Sequence, residues 1–155
     1  MRHVSYLSFY ESPIGIIRIN TSDYDIISIT FVEEIDDEFR ENDLSIRIKN
    51  ELDSYFKGEL ESFSFYNYLI SGLERRVMEI VCHIPFGEFI TYREVAKELG
   101  DEEIISPVKE VLDNSSFPIL LPSHRVINSF DDIGGFVGGE DRKRYLLEHE
   151  NIICK

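Results

Sequence analysis

The 155-residue chain is long enough for one full-sized core or for two small units, and too short for a larger assembly of domains. Its composition, 43% hydrophobic and 30% charged, is that of a soluble globular protein, and no stretch approaches the roughly 20 apolar residues of a membrane span. Thirty Asp and Glu against sixteen Lys and Arg leave a net charge of -14, which repels polyanions and opposes the counterion release that drives non-specific DNA binding.

Met1 to Tyr10 lacks the basic lead and apolar run of a signal peptide, so an intracellular protein is expected. Val4 to Tyr10, Ile14 to Asn20 and Ile26 to Val32 are rich in β-branched and aromatic residues, with turns at Ser12-Pro13 and Thr21-Ser22-Asp23. Three antiparallel strands follow from that pattern. The acidic stretch Glu33 to Asp43 is a connector. Leu44, Ile48, Leu52, Tyr55 and Phe56 then recur at helical spacing before Gly58 stops the run.

From Leu73 the periodicity is helical, with Leu73, Val77, Ile80 and Val81 on one face as far as Pro85 and Gly87. Thr91 followed by Glu94 is a capping box opening a helix over Tyr92 to Leu99, ended by Gly100. Ser106-Pro107 reads as an N-cap with proline in the first position of a short helix to about Asp113, and the two helices together suggest helix-turn-helix. Phe117 to Leu121 is a brief apolar run, the paired glycines 134-135 and 138-139 make a loop, and Arg142 to Glu150 forms a closing helix. The expected fold is α/β: a small three-stranded antiparallel amino-terminal α/β unit over residues 1-70, and a helical carboxy-terminal unit with helix-turn-helix over 71-155.

The two cysteines, Cys82 and Cys154, are too few for a disulfide framework, and neither stands in metal-ligand spacing with the four histidines. No metal or cofactor is expected. Cys82 is expected on the core face of its helix as a small hydrophobe, and Cys154 near a frayed end.

The run Pro122-Ser123-His124-Arg125-Val126 resembles the active-site motif Pro-Cys-His-Arg-Val of the O6-alkylguanine-DNA alkyltransferases, with serine at the cysteine. Around it, Phe117-Pro118-Ile119-Leu120-Leu121, Gly134-Gly135-Phe136-Val137-Gly138-Gly139, Lys143, Leu146-Leu147 and Glu150 fall in register. Upstream, Ile84 to Tyr92 resembles the entry to that family's helix-turn-helix, and Ser12-Pro13-Ile14-Gly15 with Glu51-Leu52 to Gly58 its amino-terminal, ribonuclease-H-like unit. The resemblance covers almost the whole chain. It implies base flipping, which brings an alkylated guanine out of the duplex. The alkyl group then passes to a thiolate activated through water by His124, which Glu150 orients.

At Ser123 that chemistry should stop. A serine hydroxyl is protonated at neutral pH, and displacement at a saturated carbon offers no oxyanion for a serine enzyme to stabilise. A serine-hydrolase reading of Ser123 with His124 lacks a nucleophile elbow and pairs adjacent residues, which rarely point at one another. Counted back from Pro122, the family's base-replacing arginine falls on Ser106, a groove-approach glycine on Lys109, and a nucleotide-contacting asparagine on Ser115, beside Asn114. Segment 101-116 carries five carboxylates against one lysine. Tyr92 matches a tyrosine that presses on the target phosphate, and a tyrosine at a helix start is equally a packing residue. Phe136, Val137 and Gly138 match the loop lining the alkylguanine pocket. Arg125 is expected to pair with a carboxylate inside the carboxy-terminal unit.

Three readings follow: a natural alkyltransferase-like protein that binds damaged guanine without transferring the alkyl group, a cysteine-to-serine variant of an active methyltransferase, or a relative that has lost DNA binding and serves as an interaction module. The expected partner is duplex DNA containing O6-alkylguanine, met by a monomer, with a second repair protein where damage is flagged and no membrane. The expected location is the cytoplasm, or the nucleoid or nucleus when DNA-bound.

Overall fold

The computed structural model describes residues 5-36 and 39-154, so Met1 to Val4 and connector positions 37-38 lie outside the described residues. The chain divides into two compact units, Met1–Leu69 and Ile70–Lys155.

In the first unit, strands β1 (Tyr6–Ser12), β2 (Gly15–Thr21) and β3 (Asp25–Val32) form an antiparallel meander. The β1-β2 connection is two residues long, with Ser12 facing Gly15 across it. The Ser12 hydroxyl accepts from the Ile14 N–H at 3.2 Å and donates to the Gly15 carbonyl at 2.6 Å, the local bonding that makes Ser-Pro a turn. Ile17, Ile19, Ile26 and Ile29 fill the buried face, against which helix α1 (Asp43–Phe56) lays Ile48, Leu52 and Tyr55. Each such side chain contributes about 1.5–3 kcal/mol of burial. The start of α1 is a capping box of Asn42 and Ser45, each side chain accepting from the other's backbone N–H. A fourth strand, β4 (Asn67–Tyr68), pairs parallel with β3. At two residues it is too short to leave a periodic signal in the sequence.

In the second unit, α2 (Gly72–Val81), α3 (Tyr92–Glu98) and α4 (Ile105–Asp113) pack on one another. Two-residue strands β5 (Ile90–Thr91) and β6 (Val126–Ile127) pair in parallel, and α5 (Glu140–His149) closes the unit. The Thr91-Glu94 capping box forms as expected. Helix α2 buries Val77, Met78 and Val81, so Met78 joins the expected stripe while Leu73 and Ile80 are half-buried.

Three local expectations are corrected. Ser106 does not cap α4: a 3-10 turn at Glu102–Ile104 runs into the helix, and Asp101 caps that turn by accepting from the Glu103 N–H at 2.9 Å. The last helix starts two residues earlier than expected, because Gly139 at φ +93° ends the loop and Glu140 and Asp141 suit the positive end of the helix dipole. Cys82 is the exposed C-cap of α2 and not a core residue. Among the described residues, no helix is long and apolar enough to cross a membrane, and no His, Cys, Asp and Glu side chains group as a metal site.

Candidate functional site

The chain enters the site through two tight turns. At Ile119, φ is +75° and the Leu120 N–H donates to the Pro118 carbonyl at 2.9 Å, the bonding of a γ-turn. A buried β-branched residue in that region is strained by about 1–3 kcal/mol and persists only where its surroundings hold it. At Pro122, φ -80° and ψ +61° with a 2.7 Å bond from the Ser123 N–H to the Leu121 carbonyl form the inverse γ-turn. Ser123–Arg125 then make one 3-10 turn that buries all three side chains.

Glu150, at the C-cap of α5, accepts from two of the three side chains of that turn, His124 and Arg125. Its Oε2 lies 2.7 Å from His124 Nε2, and Arg125 reaches both oxygens, Nε to Oε1 at 2.7 Å and Nη2 to Oε2 at 3.0 Å. Arg125 Nη1 donates to the Ile84 carbonyl at 2.7 Å, and the Gly87 N–H reaches Glu150 Oε1 at 3.4 Å. Burial alone would raise the Glu150 carboxyl, but His124 and Arg125 override it and hold the carboxyl far below the usual range. Burial pushes the His124 imidazole down more than Glu150 lifts it, so the ring is neutral. An ionised carboxylate only accepts, which assigns the His124 proton to Nε2 and leaves Nδ1 as a lone-pair base. Two buried polar atoms in this turn have no protein partner: Ser123 Oγ and His124 Nδ1. Serine and histidine are therefore not hydrogen-bonded to each other, as a serine-hydrolase dyad requires.

Beside this turn lies a second polar cluster. Tyr92, 3% exposed at the start of α3, donates its hydroxyl proton to Asp113 Oδ1 at 2.8 Å and accepts from Lys143 Nζ at 3.1 Å. Lys143, fully buried on α5, also donates to the carbonyls of Val126 at 2.7 Å and Gly135 at 3.1 Å. Lys109 pairs with Asp113 Oδ2 and lies 5.1 Å from the Tyr92 ring centre. Burial lowers the Lys143 ammonium to about 8 even with Asp113 opposing the fall, while burial followed by Asp113 keeps the Tyr92 hydroxyl protonated. Two glycines of the loop, Gly134 and Gly135, pack on this cluster with no room for a side chain. A Cβ on Gly134 would stand 2.2 Å from the Tyr92 hydroxyl, and one on Gly135 2.7 Å from Asp113 Oδ2.

Known families match both units. The description "6-O-methylguanine DNA methyltransferase, DNA binding domain" covers residues 72–152, and its ribonuclease-like domain covers residues 5–67. The chain belongs to the 6-O-methylguanine DNA methyltransferase family. Similar relatives include the methylated-DNA–protein-cysteine methyltransferase of Methanosarcina acetivorans, 31% identical over 94% of this chain and 97% of the relative. That of Saccharolobus islandicus is 32% identical, over 92% and 93%. Among solved structures, the Mycobacterium tuberculosis O6-methylguanine methyltransferase superposes with TM-score 0.83 at 25% identity, covering 95% of this chain and 93% of that one. The same organism's protein in complex with DNA gives 0.80 at 27%, over 92% and 90%. The mixed α/β architecture, an amino-terminal antiparallel sheet and a helical carboxy-terminal unit, is that of this family.

The structure distributes the family-suggested positions unevenly. Ser123, His124 and Glu150 fall in one buried constellation. Ser106 and Asn114 are exposed on and just after α4, and the Asn114 amide donates to the Glu110 carbonyl at 2.9 Å. Ser115 is turned inward, its hydroxyl accepting from the Phe117 N–H at 3.1 Å. In the glycine loop, Phe136 is buried, Val137 is exposed, and the Gly138 carbonyl takes a bond from Arg142 at 3.0 Å. The carboxylate expected for Arg125 is Glu150. Sequence reading assigned no role to Lys143 or Asp113. Lys143 was detectable, because it stands three and four residues before Leu146 and Leu147 on the buried stripe of α5.

Proposed function

We propose that this protein recognises O6-alkylguanine in duplex DNA, in a repair context, without accepting the alkyl group, because Ser123 occupies the position of the acceptor cysteine. The observation that carries this reading is the pair of buried, unpartnered atoms Ser123 Oγ and His124 Nδ1, next to an intact His124–Glu150 bond. Buried polar atoms are seldom left without a partner, and one water can serve two such groups. Such a water would donate to Nδ1 and accept from the residue at 123, the relay that makes a thiolate when that residue is cysteine. With serine the same relay faces a hydroxyl of far higher pKa, so the neutral imidazole is too weak a base to yield a nucleophile.

On this reading the alkylated base is flipped out of the duplex, α3 and α4 act as the helix-turn-helix, and the loop from Phe136 to Gly138 lines the base pocket. The DNA-bound mycobacterial relative supports duplex DNA as the ligand. The test is binding to a short duplex with and without O6-methylguanine, at low and physiological salt, together with Ser123→Cys. Selective binding by the natural chain, and covalent labelling of Ser123→Cys by methylated DNA, are the expected outcomes. Absence of both sinks the proposal. It would favour the third reading of the sequence, a relative without DNA affinity, which the net charge of -14 and the exposed carboxylates of Asp101, Glu102, Glu103 and Glu110 support.

A further inference from the structure

Of the five carboxylates in segment 101-116, four are exposed, and Asp113 alone turns inward. It does so to collect donors. Its Oδ1 takes the single proton of Tyr92, and its Oδ2 takes the Lys109 ammonium. Lys143 stands behind, donating to the Tyr92 hydroxyl and stabilised by the Asp113 charge. One hydroxyl and one ammonium bonded to a single anion, backed by the charge of a second ammonium whose three protons go to Tyr92, Val126 and Gly135, form a setting that would hold a phosphodiester oxygen equally well. The cluster is open on one side, with the Asp113 side chain 20% and the Lys109 side chain 45% exposed.

We propose that Tyr92 and Lys109, backed by the Lys143 charge, form a site for a phosphodiester oxygen that Asp113 occupies from within, an internal contact that holds a nucleic-acid backbone off α3 and α4. The inference rests on the reading that these helices meet DNA. While Asp113 is in place, an incoming phosphate finds the Tyr92 proton already committed and a negative charge beside both lysines. Removing the carboxylate opens the site and removes that repulsion together.

The experiment compares the natural chain with Asp113→Ala and Asp113→Ser in two assays. The first is thermal stabilisation by inorganic phosphate, against chloride at matched ionic strength and about pH 6.5, below the Lys143 value. The natural chain should show no phosphate-specific response. Both variants should gain one, with an apparent affinity at least about tenfold tighter, the size of one charge-assisted hydrogen bond. Adding Lys109→Ala should take most of that gain away. The second is binding to an undamaged duplex, where both variants should again tighten by about tenfold. The Asp113→Asn variant, isosteric and still an acceptor for Tyr92, keeps the experiment decisive if the smaller residues unfold the chain. It should bind duplex more tightly than the natural chain, and an unchanged affinity overturns the proposal. Equal phosphate responses in the natural chain and a folded variant overturn the internal site. A phosphate gain without a duplex gain supports the site and overturns the DNA reading beneath it.

Discussion

Replacing Glu150 by glutamine keeps the volume of the side chain but removes its charge and one of its two acceptor oxygens. Four donors converge on those oxygens: His124 Nε2, Arg125 Nε, Arg125 Nη2 and the Gly87 N–H. Arg125 is buried, so the variant leaves a desolvated guanidinium without its counter-charge, a loss of about 3–5 kcal/mol where buried pairs are broken from one side. With an m-value of about 1–3 kcal/mol per molar, the urea midpoint of the carboxy-terminal unit should fall by at least about 1 M at unchanged m. The pair also fixes a pH dependence. Because the folded Glu150 carboxyl is depressed below its ordinary 4.5, its stabilisation is fully present above that value and is lost as pH falls through the folded one. The curves for the natural chain and Glu150→Gln should therefore converge in acid. Arg125→Met added to Glu150→Gln should recover part of the loss by removing the orphaned charge. A loss under about 1 kcal/mol at neutral pH would refute the argument that this carboxylate holds the site together.

Gly134→Ala should destabilise by about 2–4 kcal/mol, since it combines a positive φ with a methyl pressed on the Tyr92 hydroxyl, and thermal unfolding reads the effect. A change below about 1 kcal/mol would mean that Tyr92 moves aside freely. Lys143 is lowered from 10.5 to about 8, so the folded state releases its proton first and stability should rise as pH climbs through that interval. The rise is about 3 kcal/mol and should be absent in Lys143→Met; parallel curves for the two proteins would contradict the burial argument. Ser106→Arg adds a cation to the exposed first turn of α4 and should steepen the salt dependence of duplex binding by about one phosphate contact. An unchanged slope would show that this turn does not meet the backbone.

The strands and most helices were legible because their signals are periodic: alternating isoleucines on one sheet face, and the Ile48, Leu52 and Tyr55 stripe on α1. Cap chemistry was legible where it is local, as at Thr91 and Glu94, and misled at Ser106 because Asp101 five residues earlier takes the capping role. Strands β4 to β6 could not be read, since two-residue pairings depend on distant backbone and not on side-chain pattern. In the site, the motif drew attention to Ser123 and His124, whereas the inward turn of Asp113 depends on its distance from Tyr92, 21 residues away in sequence. No rule of composition carries that distance.

The attachment of Ser123–Arg125 to Glu150 also orders events during synthesis. Chains emerge from the ribosome amino terminus first, and early units fold before later ones are complete. The Met1–Leu69 unit can bury its core while the rest is being made. The turn at 123-125, by contrast, holds three side-chain donors whose acceptors lie on a residue 25 positions downstream. Until Glu150 has emerged, a guanidinium and an imidazole bound for the interior must stay in water. The buried turn at 123-125 is thus among the last parts of the chain to form, and a nascent chain stalled within α5 would carry a finished amino-terminal unit and an unanchored turn.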